Sequence, residues 1–332
     1  MSLKNIIFFV PATDAAVGGI KVILRHCEAI NSLEDGSVRS AVFFPENVNF
    51  KVTWLDHNVT VRREDAFDRS SDLIILPEIW ALSFGKKLLA AGYSYGIFVQ
   101  GGYLIFKEIE NSLESDARAL KEIYEGAAIV LSISDDTTAS LMLAFPAIGG
   151  RIFKTQYSLR EDVFFPQGEK ENLITYMPRR LPAHSTWVVS QLMVRGLGGW
   201  RASAMCGMSE AQVGERFRSS KIFLSFSELE GLPLPPLEAA ACGNLVIGYT
   251  GGGGAEYWDP PVFREIMPGD LKRFFSTLAD AMELLGSRKD GILSDSNASR
   301  AIDGLRNKFS RSAELERMKD FVKIVQAIPE RT

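Results

Sequence analysis

Histidine is scarce in this chain. Its three copies, His26, His57 and His184, share no ligand-like spacing, so no imidazole-based metal site can be read from them. Cysteine is equally scarce: Cys27, Cys206 and Cys242 are odd in number, far apart and form no C-x-x-C pair. That pattern excludes a disulfide framework, a zinc ribbon and a redox couple, and leaves three reduced, buried thiols of an intracellular protein as the expectation. No D-x-D occurs, so the usual carboxylate pair for a magnesium-bound diphosphate is missing. The N-terminal "IIFFV" before Pro11 is too short for a signal-peptide core, and no apolar run approaches membrane-spanning length. Nor is there an excess of one charge: 37 basic against 41 acidic residues give a formal net charge of -4 and no global reason to bind nucleic acid. Repeats and low-complexity tracts are absent as well. Any anion site must be local.

What remains is an ordinary globular composition, 46% apolar and 23% charged, in 332 residues, enough for two domains. Short apolar runs alternate with helical stretches. "NIIFFV", "SAVFF", "LIILP", "YGIFV" and "AAIVLSIS" read as buried strands. Between them "IKVILRHCEAI" places Ile20, Ile23, Leu24, Cys27 and Ile30 on one helical face, and "GKKLLAAG" and "DDTTASLMLAF" are helical or turn-rich. This rhythm indicates parallel β-α units. It breaks near Pro166 to Lys170 and restarts with the strand "NLITYM", the helix "HSTWVVSQLM", a short strand around "WRASAMC", the helix "SEAQVGERF", the strand "KIFLSF", then "LEAAAC" and "LVIGY". Ser209 and Gln212 have capping-box spacing, which fixes one helix start. Leu271, Phe274, Phe275, Leu278 and Met282 make one late helical stripe, and Leu315, Met318, Val322 and Val325 another. Two successive Rossmann-like units are the simplest account, residues 1–166 and 167–312, followed by a terminal helix, 313–332.

The densest chemistry lies in "SELEGLPLPPLEA", residues 227–239. Its prolines forbid a central strand or helix interior and set a helix start near Leu234 to Leu237. Glu238 is then expected in the first helical turn, with Glu230 in the loop above it, both facing one cleft. Spacing alone says little: 24 glutamates yield roughly one or two pairs eight apart by chance. Three exist, Glu114 with Glu122, Glu161 with Glu169, and Glu230 with Glu238. Only the third spans a strand-to-helix turn, at the sheet edge where parallel α/β proteins bind ligands. A carboxylate there accepts hydrogen bonds from sugar hydroxyls. Phosphate would instead suit the N–H groups of Gly231 and Leu232 at the helix start. Arg179 and Arg180, after the strand "NLITYM", suit a diphosphate, since always-charged guanidinium forks bind it bidentately.

"SFSELEGLPLPPLEAAACGNLVIGYTGGGGAEYW" resembles the donor-site signature of glycosyltransferase family 4, the group 1 retaining enzymes. It carries their E-x7-E pair, small-residue helix, strand, and glycine loop followed by Glu256. "DVFFP" resembles the segment closing the family's first domain, and "AVGGIKVILRHCEAI" its first glycine loop and helix. The resemblance implies an α/β GT-B fold, two Rossmann-like domains facing across a cleft, with the acceptor on the first domain and the donor on the second. It implies a retaining, metal-independent glycosyltransferase with a nucleoside-diphosphate sugar as co-substrate and no other cofactor. Glu230 would contact the donor sugar, Glu238 the ribose, and Arg179 and Arg180 the diphosphate. Gly18 and Gly19 would let the first loop approach the donor phosphates or the acceptor, and Gly251 to Gly254 would form a flexible loop beside the site. Gly207 and Met208 would lie at the nucleobase. The terminal helix would pack back on the first domain. The acceptor would be a glycan, a lipid or another molecule, and the place of action the cytoplasm, with peripheral contact at the inner face of the membrane for a lipid-linked acceptor.

The sequence departs from that family at three places. Gln100, in "YGIFVQGG", stands where many members carry a histidine, and can hydrogen-bond to acceptor or sugar but cannot act as a general base. Pro233 replaces a glycine, and "RRLPAHSTW" shows no evident lysine after the arginines. These departures keep a catalytically inactive sugar- or nucleotide-binding descendant of the fold as an alternative. An NAD-dependent dehydrogenase is disfavoured because the glycines near Gly18 do not fit G-x-G-x-x-G, and a nucleotide-sugar epimerase is a further alternative.

Overall fold

The computed structural model describes residues 4–34, 36–109 and 113–329. The chain divides into two units, Met1–Ser158 with Ser312–Thr332, and Leu159–Arg311. The boundary falls ahead of residue 166 because the segment after Ser158 is bound to the second unit. Arg160 pairs with Glu210 at 2.9 Å, Phe164 lies 6.4 Å from Phe217, and the Val163 carbonyl accepts from Arg218 at 2.5 Å.

Unit 1 holds a seven-stranded parallel sheet built from β1 (Asn5–Phe9), β2 (Arg39–Phe43), β3 (Thr60–Arg62), β4 (Asp72–Pro77), β5 (Tyr95–Val99), β6 (Ile129–Ser132) and β7 (Ile152–Lys154). Their order is β3-β2-β1-β4-β5-β6-β7. The helices α1 (Gly18–Asn31), α2 (Ala81–Ala90), α3 (Leu113–Gly126) and α4 (Asp135–Ala144) connect or cover these strands. The predicted face of α1 is buried throughout. β4 and β5 are buried at every position, as expected of strands covered on both sides. The strand order reverses between β1 and β4. The ligand crevice of such a sheet therefore lies beyond the carboxyl ends of those two strands.

Unit 2 repeats the plan with five parallel strands, β8 (Glu171–Tyr176), β9 (Arg201–Ala204), β10 (Ser220–Glu230), β11 (Leu245–Gly252) and β12 (Phe263–Glu265). Its order is β12-β11-β10-β8-β9, so the reversal lies between β8 and β10. Its helices are α5 (Pro182–Arg195), α6 (Glu210–Ser219), α7 (Leu234–Ala241), α8 (Leu271–Leu285) and α9 (Ser296–Lys308). The Ser209–Gln212 capping box is formed at the start of α6. Cys27 and Cys242 are buried as expected, whereas Cys206 is exposed, because it lies in the turn between β9 and α6 rather than on an apolar face.

The last helix, α10 (Arg311–Ala327), lies almost wholly within unit 1. Met318, Val322 and Val325 of its apolar stripe are buried with Phe321, and the Arg317 guanidinium stands 3.9 Å from the centre of the Phe153 ring. Glu314 is fully buried on it, 2.7 Å from His26 Nδ1 on α1, and its other oxygen accepts from the Ser158 hydroxyl. Removing one partner of such a buried pair leaves the other without compensation, at a cost of about 3 kcal/mol or more. Glu314→Ala is therefore expected to lower the urea midpoint strongly, while Glu316→Ala, on the exposed side of α10, leaves it unchanged.

Candidate functional site

The carboxyl ends of β8 and β10 meet at the reversal point of unit 2. β10 runs beyond its apolar run as far as Glu230, which pairs with Gly252 of β11 after a register shift between Ser227 and Glu230. Glu230 is thus the last residue of a bulged strand rather than a loop residue. The bulge forces Leu229 to φ +48°, a left-handed conformation that a leucine adopts only under strain, and leaves it 60% exposed. Across the reversal point, Arg180 Nε lies 3.1 Å from Glu230 Oε1. Burial pushes the Glu230 carboxyl up from its ordinary value, and Arg180 and then Arg179 oppose that shift. The result is a largely buried carboxyl in contact with Arg180 and under the charge of Arg179, of a chemistry that accepts hydrogen bonds from hydroxyl groups.

The three prolines act as expected. Pro233 is the N-cap of α7 and Pro235 and Pro236 lie within its opening turn, where missing N–H groups cost nothing. Because the helix already begins at Leu234, Glu238 falls in its second turn, not its first, and is only 5% exposed. Both carboxylates and Glu256 act on one group, the buried Tyr257 hydroxyl. Burial pushes its pKa well above the ordinary value, and the charges of Glu230, Glu256 and Glu238 add to the effect. That hydroxyl donates to the Pro233 carbonyl at 2.5 Å, tying the loop after β11 to the start of α7.

The glycines of "TGGGGA" do not form a flexible loop. Gly251 and Gly252 end β11 at φ +67° and +87°, and Gly253 to Tyr257 form a 3-10 turn. A methyl group on Gly253 would stand 1.7 Å from the Gly231 carbonyl oxygen, so this glycine is required by close backbone approach. Gly231 and Leu232 are themselves buried. Gly207, at φ +64°, sits in an open turn with Met208 ahead of α6. Among the described residues no group of three or more His, Cys, Asp or Glu side chains is placed to hold a metal ion.

In unit 1, Gly18 and Gly19 open α1 itself rather than a loop before it. A methyl group on Gly19 would stand 2.1 Å from Gln100 Oε1, and Gln100 Nε2 donates to the Gly19 carbonyl at 3.0 Å. The missing side chain thus makes room for Gln100, which brings these two sequence-predicted residues together at the carboxyl edge of β1 and β5.

Sequence reading missed the neighbour that orders this edge. Glu78, directly after β4, is 5% exposed and accepts backbone hydrogen bonds from its own amide and those of Gln100 and Gly101. A single charge following a wholly apolar strand, "LIILPE", was the available signal. Burial pushes its carboxyl up from 4.5 to about 7, against those hydrogen bonds and the charge of Lys107. Between those two values the native chain retains a proton that the unfolded chain has released. Stability therefore falls as pH rises through that window and is flat above it, a loss of about 3 kcal/mol at most. Glu78→Gln removes the loss. Its melting temperature should exceed the parent's at pH 8 and match it at pH 4.5; equal gains at both would contradict the assignment.

No family model and no curated protein matches this sequence. Solved structures do match, over almost the whole chain. Sucrose-phosphate synthase from Thermosynechococcus elongatus superposes with a TM-score of 0.70 at 13% identity, covering 98% of this chain and 100% of that one. HepE from Anabaena, in complex with UDP-glucose, gives 0.69 at 11% identity over 96% and 99% of the two chains. A glycosyltransferase from Rickettsia africae gives 0.63 at 14% identity over 99% and 100%. With its two parallel sheets, each reversing strand order once, the chain has the α/β GT-B fold of these proteins.

Proposed function

We propose that the chain is a retaining glycosyltransferase that moves a sugar from a nucleoside-diphosphate donor to a glycan, lipid or other acceptor. The observation that carries this reading is the Arg180–Glu230 contact across the reversal point of unit 2, with Arg179 beside it. It joins a diphosphate-binding cation pair to a hydroxyl-binding carboxylate where this sheet topology binds ligands. Glu230 accepts from the sugar hydroxyls, Glu238 from the ribose, and the two arginines take the charge that grows on the leaving diphosphate. The amides of Gly231 and Leu232 serve the phosphates, and the turn at Gly207 and Met208 faces the base. HepE complexes with UDP and with UDP-glucose favour a uridine nucleotide.

The bond from the anomeric carbon to the diphosphate oxygen breaks as the acceptor oxygen bonds to the same face. The acceptor proton passes to the departing diphosphate, so no enzyme nucleophile and no metal ion is required. Unit 1 supplies the acceptor side, with Gln100, set against Gly19, as a hydrogen-bonding contact and Gly18 beside it. A cytoplasmic place of action follows from the donor, and a lipid acceptor would add peripheral membrane contact; among the described residues no helix is long and apolar enough to cross a membrane.

Incubation with a panel of uridine-diphosphate sugars and candidate acceptors tests this reading. Nucleotide release that depends on acceptor, with the donor's anomeric configuration kept in the product, is expected. Nucleotide binding by calorimetry without transfer or hydrolysis would instead make the chain a binding protein, the alternative favoured by Gln100. Conversion of the donor sugar without acceptor would make it an epimerase.

A further inference from the structure

Among the described residues two that are not glycine take a positive φ, Leu181 at +42° and Leu229 at +48°. A leucine in the left-handed region crowds its Cβ against the backbone, and glycine relieves that crowding. The two flank the Arg180–Glu230 contact, one directly after the arginine and the other directly before the glutamate. Elsewhere along the carboxyl edge of unit 2 the chain meets the same demand with glycine, at Gly207, Gly251 and Gly252, with φ of +64°, +67° and +87°. Left-handed leucines are kept for the neighbours of the ion pair.

The two differ in what offsets their strain. Leu181 is half-buried and is the N-cap of α5, its carbonyl accepting the amides of His184 at 3.0 Å and Ser185 at 3.2 Å. Its conformation starts a helix. Leu229 starts nothing: β10 ends one residue later, and with 60% of its surface exposed the side chain has little packing within the chain to stabilise it. Ser227 pairs with Thr250 and Glu230 with Gly252, so Glu228 and Leu229 together stand opposite Gly251 alone. Glycine would supply the left-handed backbone of this bulge without strain. What glycine would not supply is the alkyl group. That group has neither charge nor hydrogen bond to offer, only an apolar surface one residue away from the carboxyl that accepts from sugar hydroxyls.

We propose that Leu229 is a specificity-determining contact to the donor sugar, packing on its carbon-bound hydrogens while Glu230 takes its hydroxyls, a role that rests on the donor reading above. A sugar ring carries both kinds of surface, and a site that meets only the hydroxyls leaves the other in water. The backbone strain is offset when ligand covers the exposed alkyl group. Covering the exposed part of one leucine side chain is worth about tenfold in affinity. UDP has no sugar beyond its diphosphate, so this tenfold belongs to the nucleotide sugar and not to the nucleotide.

Calorimetry on the parent, Leu229→Gly and Leu229→Met tests the contact, with UDP-glucose, UDP-galactose and UDP-N-acetylglucosamine as probes and UDP as the control lacking the sugar. Leu229→Gly should melt at or above the parent temperature, because relief of the left-handed strain offsets the greater freedom of glycine in the unfolded chain. It should bind the best of the three nucleotide sugars about tenfold more weakly and UDP as the parent does. Leu229→Met, apolar and of similar volume, should recover most of that loss. Parental affinity of Leu229→Gly for the nucleotide sugar, or an equal loss for UDP, would overturn the contact. A large fall in its melting temperature would also overturn it, by showing that the side chain is packed within the chain. A parent that binds UDP but none of the three nucleotide sugars would overturn the contact and leave the nucleotide site standing. Absence of binding to all four probes, with other nucleoside diphosphates also silent, would overturn the donor reading instead.

Discussion

Replacing Glu230 by alanine is expected to lower transfer about 10- to 100-fold, the value of one or two hydrogen bonds from sugar hydroxyls to a charged acceptor. Affinity for the free nucleotide should change far less, because those bonds are made to the sugar. The geometry sharpens the expectation. Glu230 is held at the end of a bulged strand by Arg180 at 3.1 Å, so its loss also frees a cation for the diphosphate. A small gain in nucleotide affinity would therefore agree with the account. Glu238→Ala should do the reverse, weakening nucleotide binding about tenfold with a smaller effect on saturated turnover. Steady-state kinetics beside calorimetry separates the two. Unchanged values in both variants would remove the assignment of this pair.

Gly253→Ala is expected to be the most damaging single-methyl change in the site. The added carbon would meet the Gly231 carbonyl oxygen at 1.7 Å, its carbon at 2.3 Å and the Glu230 carbonyl oxygen at 2.8 Å. All three are backbone atoms, and no rotamer change relieves them. Relief requires the 3-10 turn to move off the end of β10, which also pulls Tyr257 away from the Pro233 carbonyl. The expected cost is about 3 kcal/mol or more, with loss of nucleotide binding in whatever remains folded. Gly150→Ala, where an added carbon meets nothing within 4 Å, is the matched control and should behave as the parent. Near-parental melting and binding for Gly253→Ala would mean that this turn is mobile, and that the flexible-loop expectation was the right one.

Much of the fold was readable because its strands are apolar runs bounded by turns. β1, β4, β5 and the core of β10 coincide with such runs. β3, β7 and β12 were not readable, since three residues at a sheet edge carry no periodicity. The start of α7 followed from its prolines, yet the turn holding Glu238 did not, because a one-residue difference in where a helix begins decides it. The Glu230–Arg180 contact could be anticipated only as a shared sheet edge; its distance depends on the bulge at Ser227–Glu230, which no local pattern announces. The roles of Gly19 and Gly253 were invisible for the opposite reason. A glycine shows that something comes close, and in these two cases it is Gln100 and the Gly231 carbonyl rather than a ligand. Glu78 and Glu314 carry no local pattern that marks them as buried; only the amides and the imidazole that meet them in the fold do so.

The central claim is that unit 2 binds a nucleotide sugar through the residues gathered at the ends of β8 and β10. Saturation-transfer NMR with a panel of nucleotide sugars tests it most directly, run on the parent and on Glu238→Ala. The account predicts saturation of both ribose and sugar protons for at least one donor in the parent, with the ribose signals reduced selectively by the substitution. No transfer to any nucleotide sugar, or a spectrum unchanged by Glu238→Ala, would contradict it.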